Sequence, residues 1–473
     1  MIALLALTAL GAPDRSQFPA VQPPTLLAHA APQVAVLHPG ATLQLAPSPG
    51  ASKVALTVTF GAGIAELGMA DEETWSAMAY LWDAATTTRD ADALSIEEDI
   101  EQIELWSSGS GHQITLSLVV PRERVDKGLE LLDDVLHHPA MPGADLKLYK
   151  RDQKNWYLYE AMNDPASVSS SAMRYTWYPR DVYYGTPPDL RALGKIRAAD
   201  MRADHRELLR SAPVTVFAAG DLTLTDLSGP LTRILADVGV DKPAARPVNT
   251  STPTGERLIA VDLPGAEQTS IRLRLAAPTL KDPDAIPFSA VNWALGGAFL
   301  SRLNRNLRED KGWTYGIGSS YATDVAKATW SVSVMVATAN TGGAITEIRG
   351  EIAKVAADGI TADEISGAWR EDAATWNNTF LDVEEVAGLY ANLAWTEETV
   401  DQRRQRIEAG RAISPEATQN VASRWLGPDA TRLWVVVGNR AGMEAQLTAA
   451  GLRPQWIEAS DAILGTFELQ ASP

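Results

Sequence analysis

The stretch SRLNRNLREDKGWTYGIGS, residues 301–319, begins with the pattern of a helix and ends with that of a strand, and Lys311-Gly312 is the break between them. Arg308 falls near the helix end, and Tyr315 follows seven positions later at the start of the strand. A helix end followed by a glycine turn sends the chain back on itself and brings two such side chains toward each other. Arginine offers a rigid fork of donors suited to carbonyls or a carboxylate; tyrosine offers a ring and a hydroxyl. The pair has the chemistry to hold an extended peptide backbone. A surface arginine beside a half-buried strand tyrosine would give the same spacing, so spacing alone leaves both readings open.

Outward from this stretch, the chain of 473 residues exceeds what one compact core holds, which predicts at least two domains. Hydrophobic content of 45% and charged content of 21% describe a soluble globular protein. A formal net charge of −18 argues against nucleic acid or an anionic membrane as partner and is compatible with cationic peptides. With no cysteine, disulfide frameworks, thiolate metal sites and cysteine nucleophiles are excluded. No G-x-S-x-G elbow is present, and Gly61-Ala62-Gly63 lacks the rest of a phosphate-loop fingerprint, so it reads as a turn.

The first residues, MIALLALTALGA (1–12), resemble the apolar core and cleavage end of a secretory signal without its basic leader. Export to a bacterial periplasm or cell envelope is the expectation, with a cytoplasmic location as the alternative. The run is too short to span a bilayer, and no integral membrane segment is expected later. Residues 13–50 are rich in Pro and Ala and read as an extended arm.

Beyond the arm one pattern occurs twice. Val54, Leu56, Val58 and Phe60 alternate, a helix is predicted over 71–86, and Ile114 to Val120 alternates again. Val125, Leu129, Leu132 and Val135 then recur at helix spacing, a second helix runs from Asp145 through Trp156, and a strand ends at Gly220. Residues 240–256 have linker composition. The same order follows: Ile271 to Leu275, a helix from about Pro287, the opening stretch, a strand with Trp330, Val332, Val334 and Val336, and a helix with Ile345, Ile348, Ile352 and Val355. Trp376 stands 220 positions after Trp156, and Gly438 stands 218 after Gly220. The expected fold is α+β: two homologous domains from an internal duplication, 51–239 and 257–473, each an antiparallel-rich sheet with helices on one face.

From Gln268 to Ser320 the residues Asn292, Leu295-Gly296-Gly297, Ser301-Arg302-Leu303, Leu307-Arg308-Glu309 and Gly312-Trp-Thr-Tyr315-Gly316 stand in one order and spacing. In this the chain resembles the insulinase or pitrilysin type of zinc metallopeptidase, in the short two-domain form of the mitochondrial processing peptidase and its bacterial relatives. The resemblance implies that Arg308 and Tyr315 bind the substrate backbone and help stabilise the transition state. That family's inverted zinc motif, H-x-x-E-H, puts two imidazoles on one helix face with a glutamate as base, and a later glutamate as third ligand. On Trp75 to Ala85, Tyr80 and Ala84 stand at the histidine positions and Asp83 at the base position, while Glu160 fits the third ligand. The six histidines (29, 38, 112, 137, 138 and 205) offer no i, i+4 pair, so structural or surface roles are expected.

No cofactor is expected in this chain, and the resemblance implies zinc in a homologous partner subunit. The chain is then the non-catalytic half of a heterodimeric peptidase acting on a peptide substrate. The alternative is a catalytically inactive scaffold or peptide-binding protein of the same fold. The 14 tryptophans, Trp82, Trp330 and Trp376 among them, read mainly as core and interface anchors.

Overall fold

The computed structural model describes residues 24–67, 72–109, 111–179, 183–239, 256–323 and 328–470. Residues 1–12, the first part of the arm and all but the last residue of the 240–256 linker lie outside them.

Residues 33–47, read above as part of the arm, form two strands, β1 (Gln33–His38) and β2 (Ala41–Pro47). Leu43 and Leu45 are fully buried, so their alternation wins over the Pro- and Ala-rich surroundings. The first unit continues with β3 (Lys53–Phe60), α1 (Glu72–Leu81), β4 (Glu104–Gly109), β5 (Ile114–Pro121), α2 (Val125–His137), α3 (Gly143–Asn155), α4 (Pro165–Trp177), α5 (Ala198–Ser211), β6 (Val214–Gly220) and α6 (Leu224–Ile234). Its sheet has the order β1-β2-β6-β3-β5-β4, with β2 parallel to β6 and the other pairs antiparallel. Val54, Leu56, Val58 and Phe60 face one core with Leu129, Leu132 and Val135 of α2, so the two periodicities in the sequence meet there.

The second unit has β7 (Arg257–Asp262), β8 (Gln268–Ala276), α7 (Ala285–Asn292), β9 (Ile317–Thr323), β10 (Ala328–Ala337), α8 (Thr341–Asp358), α9 (Ala362–Thr379), α10 (Val383–Trp395), α11 (Pro415–Leu426), β11 (Leu433–Gly438), α12 (Arg440–Ala449) and β12 (Gln455–Glu458). The order β12-β7-β11-β8-β10-β9 repeats the first sheet in five strands. Only the outermost strand differs: β1 runs antiparallel to β2, and β12 parallel to β7. The glycines 218 positions apart share one physical reason. A Cβ on Gly220 would sit 3.2 Å from the Val54 Cα, and one on Gly438 would sit 3.2 Å from the Thr269 Cα.

Each sheet carries its own unit's helices on one face. On the other face each receives a helix from its counterpart, which periodicity alone did not disclose. Val168, Ala172, Met173 and Trp177 of α4 pack on Ile259, Val261, Val435 and Val437. Reciprocally, Val386, Ala387, Tyr390 and Leu393 of α10 pack on Ala55, Val119, Phe217 and Ala219. Full burial of an aliphatic side chain of this size contributes roughly 1.5–3 kcal/mol, so this exchange is a large part of what joins the units. A buried hydrogen bond of 2.8 Å between the Ser169 and Ser270 hydroxyls crosses the same interface.

The described part of the arm is tied down as well. The Asn377 side chain accepts from the Leu27 N–H at 3.0 Å and donates to the Thr25 carbonyl at 2.9 Å. Trp376 Nε1 donates to the Leu27 carbonyl at 2.9 Å, and the Tyr390 hydroxyl donates to the Ala30 carbonyl at 3.1 Å. Thr25 to Ala30 therefore cross α9 and α10 before the chain enters β1 in the other unit. Among the described residues no helix is long and apolar enough to cross a membrane.

Candidate functional site

The corner that carries Arg308 and Tyr315 is built by local bonds. A helical turn (Arg302–Asn304) widens into a π-turn (Arg305–Asp310), with Leu303 and Leu307 fully buried beneath it. Arg302 anchors the turn through two 2.7 Å hydrogen bonds from its guanidinium to Glu364. The chain then reverses at Gly312, whose φ of +62° favours glycine. The Lys311 N–H donates to the Asn306 carbonyl at 3.1 Å and the Trp313 N–H to the Leu307 carbonyl at 2.9 Å. Asn304 Oδ1, buried, accepts from the Ile317 N–H at 3.0 Å and fixes where β9 starts.

Tyr315 therefore sits in the turn two residues before β9, not at the strand's first residue, and is 96% exposed. Arg308 is half-buried, with its guanidinium 4.4 Å from the centre of the Phe299 ring. Phe299 and Leu300 are themselves exposed. The hydrogen bond from Trp313 to Leu307 draws the backbone flanking Tyr315 back to the backbone flanking Arg308. The corner thus presents a cation, a phenol and two apolar side chains to solvent.

The positions of the degenerate zinc motif do not share a helix face. The helix expected over 71–86 ends at Leu81, so Tyr80 lies in its last turn, and Asp83 and Ala84 fall in the bend beyond it. Asp83 is drawn to β4, where its carboxylate accepts from the Ser107 N–H at 2.7 Å. Burial pushes the Asp83 carboxyl above its ordinary range against the pull of that bond. An i, i+3, i+4 triple that ends on Tyr80 inside α1 is Ser76, Ala79 and Tyr80, with no imidazole or carboxylate. Tyr80 packs on Tyr149 of α3 with ring centres 5.1 Å apart. Glu160 is exposed at the end of the π-turn that extends α3 (Trp156–Glu160). It lies eleven residues beyond Tyr149, about 16 Å along a helix axis at about 1.5 Å per residue. Glu160 and the motif positions are not brought together.

Acidic and phenolic groups occupy the ground between α1 and α3 instead. Glu73 is buried and accepts from the Asp189 N–H at 2.9 Å, and Glu72 meets Arg174 at 3.4 Å. Burial raises the Glu72 carboxyl and the phenols of Tyr149 and Tyr157. The Glu72-Glu73 doublet at the helix start was the available signal for this cluster. The histidines are dispersed: His38 and His137 bond the carbonyls of Leu235 (2.8 Å) and Ile234 (2.7 Å), His112 pairs with Glu66 at 2.5 Å, and His205 is buried. Among the described residues no group of three or more His, Cys, Asp or Glu could hold a metal ion. The donor set present does not fit zinc.

Residues 195–370 match the family model described as the peptidase M16 inactive domain. That segment is similar to the M16 inactive domain. Arg308 and Tyr315 lie inside the M16 segment, and the α1 positions lie outside it. No curated protein sequence matches the chain. Among solved structures, a peptidase M16 inactive domain from Pseudomonas fluorescens is 18% identical with a TM-score of 0.77, and the match covers 86% of this chain and 98% of that one. A protease from Helicobacter pylori is 15% identical with a TM-score of 0.72, covering 85% of this chain and 99% of the other. The periplasmic protease PqqL from Escherichia coli is 17% identical with a TM-score of 0.68; the match covers 89% of this chain but 48% of PqqL. At these identities the likeness establishes the M16 two-unit fold.

Proposed function

We propose that the chain is the non-catalytic subunit of a heterodimeric zinc metalloendopeptidase. Its part is to present Arg308 and Tyr315 to a peptide held against a homologous, zinc-bearing partner. The observation that carries this reading is the contrast between two corners of one molecule. Tyr315 is 96% exposed beside a half-exposed guanidinium, while α1 ends before it could display a ligand pair. So exposed, the Tyr315 phenol is open to a ligand, as a packed tyrosine would not be.

In the partner, zinc supplies an activated water. This chain's residues bind and orient: the Arg308 fork donates to peptide carbonyls, and the Tyr315 hydroxyl donates to the carbonyl oxygen as negative charge grows there. The M16 inactive-domain match supports the division of labour. The name of PqqL as a periplasmic protease and the apolar run 1–12 support an exported location.

The test is co-expression with a homologous H-x-x-E-H chain, followed by light scattering and peptide hydrolysis. A complex whose activity depends on Arg308 and Tyr315 supports the proposal. A strict monomer overturns it in favour of the peptide-binding scaffold. One observation favours that second reading: α9 and α10 already grip an extended segment, Thr25–Ala30, through its backbone.

A further inference from the structure

The exchanged helix α10 covers the second face of the N-terminal sheet only in part. Beside it lies a cavity of about 450 Å³ lined by Thr57, Trp106 and Ser117 of the sheet and by Glu384, Glu385 and Asn392 of the helix. Its size falls within the roughly 300–1,000 Å³ of small-molecule sites.

Strand alternation explains the floor. Leu116 and Leu118 point into the main core, so Ser117 between them faces the cavity, as Thr57 does between Leu56 and Val58. Ser117 is 8% exposed, and its hydroxyl has no hydrogen-bond partner among the described residues. A hydroxyl at this depth without a protein partner is left to a ligand or to water. Here it opens onto the cavity rather than onto packed apolar atoms.

The walls are acidic. Burial raises the Glu384 carboxyl, and the nearby charges of Asp382, Glu104 and Glu385 raise it further. Lys53 counters them, but it is exposed and already paired with Glu104 at 3.6 Å. The cavity thus combines two carboxylates, two hydroxyls free to accept, and the half-buried indole of Trp106. An anion is repelled there, and a neutral apolar group would strand the acceptors. A planar cation with several N–H donors satisfies spread acceptors and stacks on the indole; a compact ammonium reaches fewer of them.

We propose that the cavity between α10 and the β3–β5–β4 face binds an alkylguanidinium group, the head group shared by arginine side chains and free guanidino compounds. The site is separate from the Arg308–Tyr315 corner and needs no second subunit, so it stands or falls independently of the heterodimer.

The test is calorimetry on the full chain with butylguanidinium and with the tripeptide Ac-Gly-Arg-Gly-NH2, each against its neutral urea isostere (butylurea and the citrulline tripeptide). At least tenfold tighter binding of a guanidinium than of its isostere supports the proposal. A tighter tripeptide assigns the source to peptide-borne arginine, and a tighter butylguanidinium assigns it to a free compound. Glu384→Gln with Glu385→Gln should weaken binding tenfold or more, and Trp106→Leu several-fold. Equal affinity for guanidinium and urea, no binding of either guanidinium, or unchanged binding in the folded double variant overturns the proposal. Should a variant fail to fold, the Trp106 indole N–H in the unaltered chain decides by NMR: a shift on titration supports the site, and none overturns it.

Discussion

Lowering the pH should cost this protein stability through one buried imidazole. His205, on α5, is 4% exposed, with its ring edge-on to Trp82 at 5.1 Å. It bonds to the Leu136 backbone, and its Nε2 has no partner. Protonation would create a charge and an unpaired N–H in an apolar setting. Burial therefore holds its pKa down to about 4, against an ordinary 6.5, with His137 and Arg206 adding to the effect. The folded-state value is the lower one, so between the two the unfolded chain binds more protons. Stability is complete above the unfolded value and is lost as pH falls toward the folded one. The full loss is roughly 3 kcal/mol, and about 2 kcal/mol is already gone at pH 5. Urea unfolding at pH 7.5 and pH 5.0 measures it, with His205→Gln as the variant that cannot ionise. The variant should start less stable, because it disturbs a packed site, yet lose about 2 kcal/mol less on acidification. Parallel losses in the two proteins would refute the argument.

In a complex with a zinc-bearing homologue, Arg308→Ala or Tyr315→Phe should lower turnover about 100-fold, as for loss of a transition-state donor, with unfolding midpoints unchanged. Kinetics on the mixed subunits check this. Purified alone, the chain should show no stoichiometric zinc by elemental analysis, because the donors around α1 do not converge. Trp376→Ala should cost about 3–5 kcal/mol in urea unfolding. That side chain is 3% exposed, packs with α10, and donates its indole N–H to the arm at Leu27.

The strands and most helices were legible because each carries one periodicity throughout. Val54 to Phe60 and Trp330 to Val336 alternate, and both sets are buried as the alternation requires. The hidden strands β1 and β2 show how composition misleads. The segment Ala41–Pro47 alternates too, but it lies among prolines and alanines that suggested an unfolded arm. Equal spacing is not equal environment either. Trp156 and Trp376 are 220 positions apart, yet one lies in the π-turn beyond α3 and is 40% exposed, and the other lies within α9 and is 3% exposed. At the candidate site the sequence located the glycine reversal at Gly312, because a positive φ leaves a local mark. It did not locate the end of α1, which depends on Asp83 meeting a strand 24 residues later. The exchanged helices are long-range by nature: nothing in Val168 or Met173 says that Val435 is their neighbour.

That exchange resembles a domain-swapped dimer whose two copies have been joined end to end, each having handed over an arm to clasp the other. The covalent join is then a tether, not a foundation. A gene split within codons 240–255 should yield two polypeptides that find each other and refold as a 1:1 pair. Either fragment produced by itself should be insoluble, with the naked face of its sheet turned outward.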